Sequence, residues 1–177
     1  MKFCPNCGQP VEVRIPAGDN LPRHVCPACA AVHYHNPKIV VGCVPEHDGR
    51  ILLCRRAIEP RLGYWTVPAG FMENDETMQQ GAARESWEEA LAKVEIGSPL
   101  AIVHVLHAQQ VHVMFRARLA APGYGVGAES LEVELCRPED IPWKDIAFRT
   151  VGLTLRHWFA DRARGTFGFH AEDLPLR

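Results

Sequence analysis

The chain has 177 residues, of which 47% are hydrophobic and 23% charged, with a formal net charge of −2. That length supports one sizeable core with a small appendage, and the near-neutral charge argues against nucleic acid or a membrane surface as a bulk electrostatic partner. No apolar run approaches the ~20 residues of a membrane span, and the opening MKFCPNCG lacks the apolar core of a secretion signal. Seven cysteines, four of them in a metal-like pattern, fit a reducing cytoplasm.

Residues 1–35 read as a separate module. Cys4-Pro-Asn-Cys7 and Cys26-Pro-Ala-Cys29 are two C-x-x-C pairs eighteen residues apart. Each supplies two thiolates, and zinc takes four in a tetrahedron. The segment between them reads as a hairpin turning at Ala17-Gly18-Asp19-Asn20. So few apolar residues would not fold unaided, whereas metal binding contributes on the order of 10 kcal/mol in such sites. His24, His33 and His35 lie close, but four cysteines already close the shell. Structural Zn²⁺ is the expectation.

Asn36-Pro37 is a joint, and a second domain is expected over residues 36–177. Lys38–Glu46 and Arg50–Arg55 form a hairpin around His47-Asp48-Gly49. Cys43 and Cys54 lie within these strands as small buried hydrophobes. Residues 56–69 read as a loop. There Arg55, Arg56 and Arg61 are either phosphate-binding or solvated, and Trp65 is either a base-stacking ring or a loop anchor.

Thr77 and Gln80 form a capping box that starts a helix over Met78–Ala90. Gly81 inside it costs up to ~1 kcal/mol against alanine, which points to close packing. Positions three and four apart share a helix face, so Glu85, Glu88 and Glu89 cluster beside Arg84. Carboxylates crowded in this way need a cation, and hard divalent ions prefer oxygen ligands.

Short strands follow at Val94–Ile96, Leu100–Leu106 and Val111–Leu119, with His104 and His112 expected on one face. Residues 120–130 form a glycine-rich flexible loop carrying Glu129. Glu132–Cys136 alternates as a strand with Glu132 and Glu134 on one face. An amphipathic helix spans residues 149–163, and FGFH is a short extended piece.

The stretch from Gly70 to Ala92 closely resembles the Nudix box, with Gly70, Glu76, Arg84, Glu85, Glu88 and Glu89 on their positions. The two cysteine pairs, Asn-Pro-Lys at the joint, PAGFME and the ESLE…IP…AF tail resemble a ribbon-bearing subgroup that includes plant FAD and ADP-ribose diphosphatases. The resemblance implies an α+β fold: a Nudix α/β/α sandwich with a mixed sheet, preceded by a zinc ribbon. It also implies a pyrophosphatase that cleaves ADP-ribose or FAD to AMP and a phosphorylated product. Glu85, Glu88, Glu89 and the Ala69 carbonyl would hold Mg²⁺ or Mn²⁺, and Arg84 would pair with Glu76. Glu88, Glu132 or Glu129 would be the general base, and a homodimer is implied. Phe148, Trp65 and Tyr124 are the aromatic candidates for the nucleobase.

Two positions depart from the box. Ser86 replaces an aliphatic residue, and Leu91 replaces the glycine that ends the helix in a left-handed conformation. Here the helix is expected to run on or to end differently. Two rival functions stand beside the main one. An NADH or NAD-capped RNA pyrophosphatase is weakened by Gly97-Ser98-Pro99-Leu100-Ala101, where such enzymes carry Ser-Gln-Pro-Trp-Pro-Phe-Pro. A nucleic-acid-binding ribbon on an inert domain is weakened by the intact acidic box.

Overall fold

The structure is a computed structural model describing residues 1–120 and 123–175. The chain divides into two compact units, Met1–Pro37 and Lys38–Arg177. In the first, β1 (Glu12–Arg14), β2 (Arg23–Val25) and β3 (Val32–His33) form a small antiparallel sheet. Its buried apolar positions are Cys4, Val25 and Cys26, too few for a conventional core.

The second unit opens with β4 (Lys38–His47) and β5 (Arg50–Arg56), a tight hairpin whose Asp48 and Gly49 both take positive φ. The segment 56–69, expected as loop, contains a short strand, β6 (Trp65–Thr66) against β5, and a second, β7 (Ala69–Phe71) against β4, begins at its last residue. Then come α1 (Met78–Ala90), β8 (Val94–Val105), β9 (Gln110–Leu119), β10 (Ser130–Cys136), α2 (Arg149–Arg164) and β11 (His170–Leu174). The sheet runs β10-β5-β4-β9-β8-β11. It is mixed, because β4/β9 and β8/β11 are parallel while the other neighbours are antiparallel.

Alternation along the strands sorts the core into two faces. Val41, Cys43, Val113 and Phe115 pack with Ala82 of α1. Val44, Val103 and Met114 point the other way and pack with Val151, Leu155 and Trp158 of α2. The result is a helix on each face of a mixed sheet. No helix among the described residues is long and apolar enough to cross a membrane.

Three local expectations are corrected. Val94–Ile96 and Leu100–Leu106 are one strand, whose register shifts on either side of Pro99. A bulge accommodates a proline that an unbroken ladder would not. His104 and His112 lie on opposite faces: His104 is opposite Val111 while His112 is opposite Val103, so the two differ in parity. The described part of the 120–130 loop is anchored, since Gly125 and Gly127 donate N–H bonds to the Ala90 and Glu89 carbonyls, at 2.7 and 3.1 Å. Its Ala121 and Pro122 lie outside the described residues.

Candidate active site

The capping box forms in full: Gln80 N–H donates to Thr77 Oγ1 at 3.2 Å, and Thr77 N–H donates to Gln80 Oε1 at 2.8 Å. Started at that point, α1 turns Ala82, Ser86 and Ala90 onto the sheet and leaves the glutamates beside β7. Ser86 is fully buried, donating to the Ala82 carbonyl at 2.9 Å and lying 3.1 Å from Cys43 Sγ. Both polar groups thereby find partners where an aliphatic side chain would have packed. Burial pushes the Cys43 thiol up to about 12, so it is an inert filler.

The other departure from the box proves milder than expected. Leu91 takes the left-handed cap conformation itself, at φ 47° and ψ 27°. Its N–H reaches the Trp87 carbonyl and that of Ala92 the Ser86 carbonyl, so the helix ends where a glycine would have ended it.

Arg84 organises the carboxylates. Its Nε and Nη2 grip Glu76 bidentately at 3.0 and 2.9 Å, and Nη2 also reaches the Phe71 carbonyl at 3.1 Å. Nη1 holds Glu85 at 2.7 Å and Glu88 at 2.9 Å. All five guanidinium donors are thus occupied, a pattern lysine cannot reproduce. Gly81 allows the approach, because a Cβ there would fall 2.7 Å from both Glu76 Oε1 and Val41 Cγ2. Gly70 is equally constrained: its Cβ would lie 2.3 Å from Glu85 Oε1.

Glu89 lies deeper, 4% exposed against 8% for Glu85. Its Oε2 accepts the Ala69 N–H at 3.2 Å. Burial first, and then Glu85, push its carboxyl up to about 8. Glu85 is raised by burial despite Arg84. Of these two buried carboxylates only Glu85 is ion-paired, to the fully committed Arg84. Glu89 has no ion pair within 4.0 Å among the described residues and feels Arg56 only at longer range, which leaves a deficit of positive charge. The donor set, carboxylate and carbonyl oxygen, suits a hard divalent cation. Arg84 holds Glu85 and Glu88, so the three box glutamates do not converge on one point.

Glu129 is an exposed neighbour whose charge raises both Glu85 and Glu89. Glu132 stands apart. It pairs with Arg55 at 3.5 Å, on the sheet face opposite Val133, and Val133 packs beneath the end of α1. Arg56 lies over the Phe148 ring at 5.1 Å, donates to the Pro60 carbonyl at 2.9 Å, and is close enough to Glu89 to favour its charged form. Trp65 and Phe148 both pack at the edge of the α2-side core, whereas Tyr124 is exposed on the loop beyond α1. Sequence reasoning missed Gly127. Its seat on the end of α1 depends on a carbonyl contact that no motif records.

In the first unit, Cys4, Cys7, Cys26 and Cys29 are free thiols whose sulfurs all lie within 4.8 Å of one another. Among the described residues they are the only group of three or more such donors. The separations of 3.7 Å (Cys4–Cys29) and 3.5 Å (Cys7–Cys26) exclude a disulfide. They match the ~3.8 Å edge of a tetrahedron of ~2.3 Å Zn–S bonds. Backbone N–H groups, first that of Cys29 and then that of Ala28, hold the Cys26 thiol down to about 7. His33 Nε2 lies 3.3 Å from Cys4 Sγ.

A mixed sheet between two helices, with an acidic helix held against a glycine-bearing strand by one arginine, is the architecture of a Nudix domain. The sequence model of the NUDIX domain matches residues 36–158 and that of the Nudix N-terminal zinc ribbon matches residues 2–35, so the chain belongs to the Nudix family. A NUDIX hydrolase from Nitrosomonas europaea is 50% identical and superposes with a TM-score of 0.95, covering 98% of this chain and 99% of that one. A MutT-like protein of Streptomyces ambofaciens is 33% identical over 58% of this chain and 64% of its own length. The NAD-capped RNA hydrolase NudC of Chromobacterium violaceum is 38% identical over 53% of this chain and 34% of its own length. The matched region thus spans between about a third and two thirds of these two curated relatives.

Proposed function

We propose that this protein hydrolyses the diphosphate bond of a nucleoside diphosphate linked to another moiety, with ADP-ribose or FAD as substrate and AMP as one product. The observation that carries the reading is the pair of buried carboxylates, Glu85 and Glu89, packed against Ala69 and Gly70, with Arg84 on Glu85 already fully committed and no ion pair to Glu89 among the described residues. Glu85, Glu88, Glu89 and the Ala69 carbonyl are the groups that would hold Mg²⁺ or Mn²⁺. Such an ion, when bound, neutralises the diphosphate and lowers the pKa of the attacking water.

The chain's own residues do the rest. Arg84 keeps Glu76 and Glu85 in place, so the β7 turn and α1 move as one body. Arg56, propped on Phe148, offers its terminal N–H groups to a phosphate oxygen, and Trp65 or Phe148 flanks the base. Glu129, on the loop pinned to Glu89, accepts the proton of the attacking water. Glu132 is the less favoured base because it is paired with Arg55, whereas Glu129 lies near enough to raise both Glu85 and Glu89. Cys4, Cys7, Cys26 and Cys29 would hold a structural zinc.

A second reading, NADH or NAD-capped RNA as substrate, draws support from the stretch shared with NudC. Against it, Gly97–Ala101 stands where the resemblance to such enzymes expects an aromatic-proline motif. A hydrolysis panel of FAD, ADP-ribose, NADH and NAD-capped RNA in Mg²⁺ and Mn²⁺ decides between them. Preferred AMP release from FAD or ADP-ribose is expected, and preference for the NAD substrates or uniformly weak release would refute the assignment. Glu129→Gln should lose roughly 10²–10⁴-fold in kcat if it is the base, with Glu132→Gln close to wild type. The reverse order would transfer the role to Glu132.

A further inference from the structure

Toward the far end of α2 lies a cavity of about 440 Å³ that the diphosphate chemistry does not use. It is bounded by the last turns of α2, the ends of β4 and β9, and the bulge of β8. Arg149 and Arg162 are thirteen residues apart on one helix, a rise of about 20 Å. The cavity at Arg162 is therefore well removed from Arg56 and Phe148, which sit at the other end of α2.

Three arginines line it, and they are not equivalent. Arg118 is the cross-strand neighbour of Glu46 on one side and of Glu95 on the other, and these two carboxylates, which also line the cavity, are set against its charge. Arg116 is half-buried, stacked 3.6 Å over the Phe167 ring, and has no carboxylate within 4.0 Å among the described residues. Arg162 donates one bond to the Gly49 carbonyl at 2.6 Å and lies over the Trp158 ring at 5.3 Å. Stacking fixes both guanidinium planes, and neither has a carboxylate within 4.0 Å among the described residues. The bulge brings the Ser98 hydroxyl to the cavity. Between the pairs Ile96↔Ala117 and Pro99↔Phe115, Gly97 and Ser98 face Arg116 alone, outside the regular ladder. A second recess of about 380 Å³, lined by Arg50 and Arg137, shares Arg162.

We propose that this cavity is a second anion site that binds a phosphate monoester of sugar or nucleoside size. Two guanidinium groups that form no ion pair among the described residues match the charge of about −2 that a phosphate monoester carries at neutral pH. The volume also falls within the ordinary range of small-ligand pockets. The two guanidinium edges and the Ser98 hydroxyl would take the phosphate oxygens, and the rest of the ligand would lie toward Gly97 and Ile96. This site does not depend on the substrate proposed above.

The test is amide NMR of the full chain, zinc-loaded and without added Mg²⁺ or Mn²⁺, titrated with inorganic phosphate, AMP or a single-stranded RNA oligonucleotide. Saturable shifts at Gly97, Ser98 and Gly49 are expected with AMP. With phosphate alone they identify the phosphoryl group as what is recognised. Arg116→Gln should weaken binding roughly tenfold or more, as expected on losing charge-assisted hydrogen bonds. Arg116→Lys, which keeps the charge and loses the fork, should fall between the two, and the spectra themselves report whether each variant is folded. Shifts confined to Ala69–Phe71 and α1, binding undiminished in Arg116→Gln, no saturation with either small probe, or response to RNA alone would each overturn the proposal.

Discussion

Replacing Gly127 by alanine tests whether the loop before β10 is a working part of the site. A Cβ on Gly127 would stand 1.9 Å from the Glu88 carbonyl oxygen and 2.7 Å from the Glu89 carbonyl carbon. Relief requires a shift of more than about 1 Å, since non-bonded carbon contacts settle near ~3.5 Å. Overpacking of this kind costs ~1–3 kcal/mol, and loss of the Gly127 N–H bond to the Glu89 carbonyl adds ~1 kcal/mol. Thermal unfolding should therefore fall by roughly 5–10 °C in a chain of this size. Glu129, two residues on, moves with the loop, and misplacing a reacting group by ~1 Å costs ~10²-fold in turnover. Gly123→Ala is the control, because its Cβ would meet nothing within 4 Å. Unfolding temperature and AMP release in Mg²⁺ are the assays. Wild-type values for Gly127→Ala, or losses matching those of Gly123→Ala, would show that the loop is not seated on α1 as described.

Leu91→Gly should stabilise by ~0.5 kcal/mol in urea unfolding: it relieves ~1–2 kcal/mol of left-handed strain, less ~0.5–1 kcal/mol for the freer glycine in the unfolded chain. A loss of ~1 kcal/mol instead would mean that contact with the 123–127 loop outweighs the strain. Arg84→Lys should lower kcat by roughly tenfold or more, because it ends the bidentate hold on Glu76; unchanged turnover would contradict that role. Burial lowers His112 to about 4, so it stays neutral in the fold while the unfolded chain protonates near 6.5. Stability should fall as pH drops through that window, by up to ~1.4 kcal/mol per pH unit, and His112→Gln should flatten the slope. A zinc-selective chelator should abolish the amide dispersion of residues 1–37 and leave that of the second unit intact, with His33→Phe speeding the loss; an unchanged ribbon spectrum would count against a zinc-held fold.

Much of the site was legible because helix geometry is local. The capping box, the 3.6-residue period and the run Arg84-Glu85-Ser86-Trp87-Glu88-Glu89 suffice to place the carboxylates on one face. The ribbon was legible for a similar reason, since two C-x-x-C turns state their own ligand geometry. The strands of the first hairpin and the terminal helix followed from apolar periodicity.

What the tertiary structure alone decided depends on contacts between residues distant in the chain. Alternation shows that a residue changes face, yet only pairing and register show which face, so His104 and His112 parted and Glu132 turned away from the box. Leu91 illustrates the same limit: its left-handed cap is locally unfavourable and persists beside the docked 123–127 loop. Phe167 lies fifty-one residues beyond Arg116, and no local pattern in the sequence announces the cavity where they stack. The chemistry of the box follows from spacing along one helix. The surroundings that bury Glu85 and Glu89, and stack Arg116 and Arg162 on Phe167 and Trp158, arise only when the sheet assembles.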